Sequence, residues 1–303
     1  MSDAVQSKNS LNTGSRPGNV IINIFFAIYS IICLVPIVLV IMISITDEKT
    51  LEQVGYSLFP QKLSISAYEF IFRDPSQIIR AYGITIFVTV AGTVLSMIMT
   101  AMYAYPISRK DFKYKNFFSF YVYFTMLFSG GLVPWYILYS RYLHLKDTVW
   151  VLIIPYLINA FNLLVMRTYF SNNIPSSIIE SAKMDGASEI RIFVRIVVPL
   201  AKPVFATIGL FSTLTYWNDW WLSLIFIVDD KKVNLQYLMN RILRTIQYIS
   251  QNKTQMSGSV TDTLPTEAVR MAMCVIGMGP ILFAYPFFQK YFIKGLTVGA
   301  IKG

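Results

Sequence analysis

Charge is scarce in this chain. Of 303 residues only 14% are Asp, Glu, Lys or Arg, against 55% that are hydrophobic, whereas a soluble domain carries about 25% charged residues. That shortage excludes an ordinary soluble fold and points to a membrane. Histidine is nearly missing: the single copy, His144, lies in a short polar stretch and reads as a solvated loop residue, not as a base or ligand. The two cysteines, Cys33 and Cys274, sit inside apolar runs, where a thiol behaves as a small hydrophobe rather than as half of a disulfide or metal pair. There is no GxxxxGKS or GxxxxGKT phosphate loop, so no nucleotide site of its own is evident. With no catalytic triad, nucleophile elbow or metal cluster either, an enzymatic reading and a resident cofactor have nothing to rest on.

What is present is a succession of uncharged intervals, bracketed by Arg16 to Asp47, Arg80 to Arg109, Lys115 to Arg141, Asp147 to Arg167, Lys202 to Asp229 and Arg270 to Lys290. Each reaches the roughly 20 residues that a helix needs to cross the hydrocarbon core. Backbone groups in lipid must pair internally, and no interval has the alternating period of a barrel strand. The expected fold is therefore all-α, with six transmembrane helices. Only the fifth interval holds a charge, Asp219. Ion-coupled transporters keep several such residues because each costs about 2.5–3.5 kcal/mol to insert, so the energy for any transport comes from a partner.

The net charge of +10 is dispersed between the apolar runs, which argues against nucleic acid. The short loop RKDFKYK, residues 109–115, and the tail with Lys290, Lys294 and Lys302 are its densest points, and both face the cytoplasm by the positive-inside rule. The expected organisation is a cytoplasmic polar N-terminus over 1–19, a six-helix membrane domain over 20–292 with an inward loop at 171–203, and a cytoplasmic tail over 293–303. The loops near 47–80, 141–147 and 229–270 then lie outside. The first run, VIINIFFAIYSIICLVPIVLVIMISIT, is too long for a signal-peptide core and is expected to stay as an anchor.

The inward loop contains ESAKMDGASEIRIFVRIVVPLAKP, residues 180–203. Ser177 and Glu180 have capping-box spacing, and Ile179, Ala182, Gly186, Ile190, Phe193 and Val197 follow in steps of three and four, giving one apolar stripe. Asp185-Gly186 reads as the turn between two short helices, the second capped by Ser188 and redirected by Pro199 and Pro203. Such a pair suits a groove in a cytoplasmic protein, with Ala182, Gly186 and Ala187 at the contact. It also suits an amphipathic helix on the membrane surface, with Glu180 doing no more than capping.

The residues Glu180-Ser181-Ala182, Asp185-Gly186-Ala187, Phe193, Ile196, Pro199-Leu200 and Pro203 resemble the Glu-Ala-Ala loop of permease subunits of binding-protein-dependent ABC importers. Ser181 replaces the usual alanine. Residues 128–170 and 285–303 are similar to the carbohydrate-uptake class, specifically to permeases for oligosaccharides or polysaccharide fragments. The resemblance implies a homologous second permease, two cytoplasmic ATPases that hold the ATP and Mg, an external sugar-binding protein, and a prokaryotic cell membrane. It further implies that Glu180, Ala182, Asp185, Gly186 and Ala187 dock in the ATPase, and that the tail around Lys294, Gly295 and Lys302 reaches towards it.

A second unusual stretch is YWNDWW, residues 216–221, inside the fifth apolar interval. Tyr216, Trp217, Asn218, Asp219, Trp220 and Trp221 offer hydroxyl partners and ring faces to a sugar, and equally serve as interfacial anchors or interhelical pins. On a continuous helix 217, 220 and 221 share a face and Asn218 and Asp219 point elsewhere. Gly130-Gly131, Pro134, Pro155, Pro280 and Pro286 mark places where spans break or hinge. The outer stretch 229–268, polar from Gln251 to Thr263, is a candidate surface for the binding protein. Competing readings are a permease for a non-sugar solute and a membrane scaffold that recruits a cytoplasmic protein without moving solute.

Overall fold

The computed structural model describes residues 16–251 and 266–279, with 281, 282 and 286 beyond them. Among these the secondary structure is helical, and extended pairing is confined to one isolated bridge between Thr46 and Leu63. The chain separates into two compact units, one of residues 1–71 with 258–275 and the other of 72–257 with 276–303.

In the first unit, α1 (Arg16–Ser44) is uninterrupted despite Pro36, and Gly18–Ser44 is long and apolar enough to cross a membrane. Its side chains from Val20 to Leu34 are exposed, as a lipid-facing surface is. Two short helices follow, α2 (Glu48–Val54) and α3 (Ser66–Ile71). Glu48 accepts from the Thr266 hydroxyl at 2.8 Å and from the amides of Glu267 and Ala268 at 2.9 and 3.0 Å, so a carboxylate satisfies the orphan donors of a helix N-terminus.

The second unit is built on α4 (Pro75–Ser108), which packs chiefly along α7 (Ala160–Asn173) and α11 (Lys202–Trp217). The reason is written on one face of α4. Ala81, Thr85, Gly92, Ser96, Thr100 and Ala104 recur at steps of four and seven and are buried. Small residues let membrane helices approach closely where no hydrophobic drive acts between them. At Gly92 the approach is closest: an added Cβ would lie 2.6 Å from the Tyr216 ring.

Of the six expected spans, five can be followed among the described residues. There α1 and α4 are each long and apolar enough to cross by themselves, and three further candidate spans are bent pairs. The third joins α5 (Lys115–Leu127) to α6 (Leu132–Ile137) and its π-helical continuation Leu138–Tyr142 through a 113° bend. There Gly131 takes φ +83°, a conformation only glycine adopts freely. The fourth passes from 3₁₀ turns over Val149–Tyr156 into α7 at 49°, and Asn159 caps α7 by accepting from the Asn162 amide at 3.0 Å.

After α7 come α8 (Ser176–Met184), α9 (Glu189–Ile192) with a π-helical extension Phe193–Val197, and α10 (Val198–Leu200). An 82° corner at the fully buried Ala201 then leads into α11. The fifth apolar interval is also broken: α11 ends at Trp217 and α12 (Trp221–Phe226) starts afresh. Part of the stretch expected as an outer loop is helical, forming α13 (Leu235–Gln251), whose first amide donates to the Thr85 hydroxyl at 2.8 Å. The sixth interval is described only to 279, in the helix over 266–279, called α14.

Candidate functional site

The hairpin α8–α9 turns where the sequence places its turn. Gly186 has φ +74°, and its amide and that of Ala187 donate to Lys183 and Ala182 carbonyls at 3.0 Å, closing α8 in the left-handed manner glycine permits. Ser188 caps α9, accepting from the Arg191 amide at 3.4 Å. The capping box does not form: α8 begins at Ser176, one residue before Ser177, and its N-cap, Pro175, has no side-chain acceptor.

Two faces result. Ile179, Ile192 and Val197 are buried with Phe170, Ala201 and Val204, and Ala182, Ala187, Phe193 and Ile196 pack partly buried against that core. Ala182 and Ala187 thus rest partly on the chain's own core. The exposed face carries Ile178, Glu180, Ser181, Met184, Asp185, Gly186, Ile190 and Val194. Met184 is 88% exposed and Ile190 77%. The spacing puts Ile190 on one apolar stripe with Ile179 and Val197, but the break at Gly186 resets the helical phase, so Ile192 is buried with them and Ile190 is exposed.

A charge network that spacing alone does not reveal fixes this hairpin beside its turn. Lys183 reaches both Asp111, at 2.8 Å, and Glu189, at 2.6 Å. Asp111 also pairs with Arg109 at 2.7 Å, and the Tyr105 hydroxyl donates to Glu189 at 2.8 Å. Hydrogen bonds from Arg109 and then Lys183 hold the Asp111 carboxyl well below the usual carboxylate range. Lys183 likewise lowers Glu189, and Lys183 itself is raised, first by Asp111 and then by Glu189. The basic loop 109–115 is therefore partly spent on clasping α8 and α9 to the end of α4.

The 216–221 stretch lies further along α4. Gly92, under Tyr216, precedes Ala104, at the hairpin's core, by twelve positions, roughly 18 Å at 1.5 Å per residue. Tyr216 is 1% exposed and donates to the Ile153 carbonyl at 3.0 Å; Trp217 is 4% exposed and its indole N–H donates to the Gly277 carbonyl at 3.0 Å. Their polar atoms are thus engaged within the chain. Asn218 is exposed with its amide on the Leu214 carbonyl at 3.0 Å. Asp219 is 7% exposed; Oδ1 accepts from the Tyr156 hydroxyl at 3.0 Å, while Oδ2 is buried without a partner. Trp220 and Trp221 meet edge to face with centroids 5.7 Å apart, and Trp221 is 40% exposed. Because the helix stops at Trp217, the face expected to unite 217, 220 and 221 does not exist. The tail residues Lys294, Gly295 and Lys302 lie outside the described residues, as do Pro280 and most of Gln251 to Thr263.

Residues 92–298 match the model of the family described as binding-protein-dependent transport system inner membrane component. The chain belongs to that family. Over 280 residues it is 38% identical to the polygalacturonan/rhamnogalacturonan transport system permease protein YtcP of Bacillus subtilis (strain 168), covering 92% of this chain and 96% of the relative. It is equally 38% identical, over 272 residues and 90% of both chains, to Protein LplC of the same strain. Among solved structures it superposes with TM-score 0.75 and 30% identity on a chain of a bacterial ABC transporter involved in the import of the acidic polysaccharide alginate, covering 92% of this chain and 99% of that one.

As an inner-membrane permease component the chain is a transport protein, not an enzyme. The matched region begins at the closest approach on α4 and contains both the hairpin and the 216–221 stretch. Reading the sequence missed the small-residue face of α4 and the Asp111–Lys183–Glu189 clasp. The first was signalled by the four-and-seven spacing of Ala, Thr, Gly and Ser. The second joins residues 72 positions apart and leaves no mark in local spacing.

Proposed function

We propose that this permease is one half of the translocation pathway of an ATP-driven, binding-protein-dependent oligosaccharide importer, with the α8–α9 hairpin as the element that couples it to a cytoplasmic ATPase. The observation that carries the coupling reading is the hairpin's division of labour. Its inner face is buried and ion pairs at Lys183 and Glu189 clasp it beside the turn, while their chain neighbours Met184 and Ile190 stand almost bare. An exposed apolar ridge on a fixed support is what a grooved partner recognises. Exposed Glu180, Asp185 and Gly186 belong to that docking surface; Ala182 and Ala187 set its shape from behind. The oligosaccharide reading is supported by the relatives named for pectic polysaccharides and by the alginate importer.

In this proposal ATP and Mg reside in the ATPase subunits, and closure of their dimer moves the two docked hairpins. Only an interaction that differs between inward- and outward-facing states biases them, so the docked hairpin must meet the ATPase differently in the two states. The hairpin and both termini face the cytoplasm, a homologous second permease completes the pathway, and an external binding protein delivers the sugar. The test is co-purification with an ATPase whose hydrolysis rises when oligosaccharide-loaded binding protein is added. Hydrolysis that responds only to a binding protein loaded with amino acid or peptide would move the chain to another solute class. A partner with no ATPase activity would leave the scaffold reading.

A further inference from the structure

The 113° break in the third span opens a cavity of about 610 Å³, inside the roughly 300–1,000 Å³ range of small-molecule sites. Its lining includes Ser129, Gly130, Gly131, Trp135, Tyr156 and Trp221. Irregular backbone at membrane depth persists only where protein or a polar cavity satisfies its freed groups. Two aromatic faces, a hydroxyl and the unwound Ser-Gly-Gly backbone therefore converge on one space.

Tyr156 links this cavity to the buried charge. Its hydroxyl proton goes to Asp219 Oδ1 at 3.0 Å, which leaves the phenolic oxygen with lone pairs to accept from a ligand hydroxyl. A buried carboxylate inside a span is expensive and marks a functional place by default. Here Asp219 acts through Tyr156 as a positioning residue, and its second oxygen has no partner among the described residues. Among the described residues no lysine, arginine or histidine lines the cavity, so none of them neutralises an anionic ligand, and the carboxylate behind Tyr156 repels one.

We infer that this cavity is a sugar subsite for an uncharged pyranose ring, held by the Tyr156 oxygen through a ring hydroxyl and by the Trp221 face through axial C–H groups. The inference rests on the oligosaccharide-importer reading and adds that, at this point of the path, the ring is read by hydroxyls and stacking rather than by a carboxylate–cation pair.

A cysteine placed at Leu132, on the cavity wall, in a chain carrying Cys33→Ser and Cys274→Ala, reports occupancy through its rate of maleimide labelling in the assembled complex. The probes are α-1,4-linked galactotriose and trigalacturonate, which differ in bearing a hydroxymethyl or a carboxylate at C6. Galactotriose is expected to slow labelling at least threefold and trigalacturonate to leave it unchanged. Trp221→Ala should abolish the protection and Trp221→Tyr preserve it, and Tyr156→Phe should weaken it severalfold. Equal protection by both probes overturns the claim of an uncharged ring. Absence of protection, protection indifferent to Trp221→Ala, or a cysteine cross-linked to the second permease and closed to maleimide overturns the subsite. ATP hydrolysis by the same complex, with and without oligosaccharide-loaded binding protein, separates the two readings. If stimulation is intact while protection fails, only the subsite is lost; if sugar-loaded binding protein stimulates nothing, the importer reading falls.

Discussion

The hairpin at 176–200 and the stretch at 216–221 are both polar interruptions in an apolar chain, yet they spend their polarity in opposite directions. In the hairpin Lys183 and Glu189 pair within the chain while their neighbours Met184 and Ile190 are left bare. In the stretch the tyrosine hydroxyl, the first indole and the carboxylate turn inward, to partners at Ile153, Gly277 and Tyr156. A surface meant for another protein keeps its contacts free, whereas a segment that pins helices together uses them up. Residue type alone did not distinguish these cases; partners did.

The sharpest way to break the contrast is at Gly92, where the inward-turned stretch rests on α4. Gly92→Leu places carbon where the Tyr216 ring stands 2.6 Å from an added Cβ. Overpacking typically costs about 1–3 kcal/mol, and a leucine at so tight a contact should reach the upper end, lowering the thermal midpoint in detergent and the yield of assembled complex. Gly92→Ala should fall less, and pairing it with Tyr216→Leu should recover part of the loss.

Gly186 tests the outward-facing region. An added Cβ there meets nothing within 4 Å, so the isolated chain suffers only the left-handed backbone penalty of roughly 1–2 kcal/mol. Gly186→Ala and Gly186→Leu should therefore differ little in the stability of the permease alone. ATPase co-purification and ATP-driven uptake should drop below about a tenth for Leu and much less for Ala, if the size of the side chain meets a docking groove. Equal effects of the two substitutions would reassign the glycine to the turn alone.

The clasp predicts a pH pattern. Asp111 and Glu189 have lowered carboxyl pKa values, so their contribution is complete above the unfolded values near about 4 and is lost as pH falls through the folded ones. Lys183 is raised, so its contribution is complete below about 10.4 and is lost as pH rises through the folded value. A spin label at position 184 should keep constant mobility between about pH 5 and pH 9 and loosen only beyond those limits. Lys183→Met removes both ion pairs at once and should raise label mobility throughout, at a cost of about 0.2–1 kcal/mol per exposed pair.

The smallest effect separates the two serines of the hairpin. Ser188→Ala removes a cap and should destabilise α9 by about 0.5–1 kcal/mol, whereas Ser177→Ala, inside the first turn of α8 and capping nothing, should be nearly neutral. Hydrogen exchange of the α8 and α9 amides distinguishes them.

These cases also mark what the sequence discloses. The turn at Gly186 and the Ser188 cap were legible because they depend on neighbours within four residues. The first two spans were legible because length and hydropathy decide them. The breaks at 128–131 and 218–220 were only half legible: glycines and proline flagged the first, and nothing local flagged the second. Asn218, Asp219 and Trp220 leave the helix where the Asp219 carbonyl receives the Asn234 side-chain amide and Oδ1 receives the Leu222 amide at 3.4 Å, the first of them a partner brought in by the fold. The inward phase of Ile192 was missed because a periodic stripe was extended across a glycine that ends it.

The corner at Ala201 has a consequence for motion. The peptide direction changes by 82° around a residue with no exposed surface, so a change of that angle would have to move the side chains packed around Ala201. In the coupling proposed above, displacement of the hairpin along the membrane plane would tilt α11, whose 16 residues form an arm of about 24 Å. A tilt of roughly 5° carries its distal end about 2 Å, a stroke comparable to a side-chain contact, and that end carries the broken helix beside the buried carboxylate.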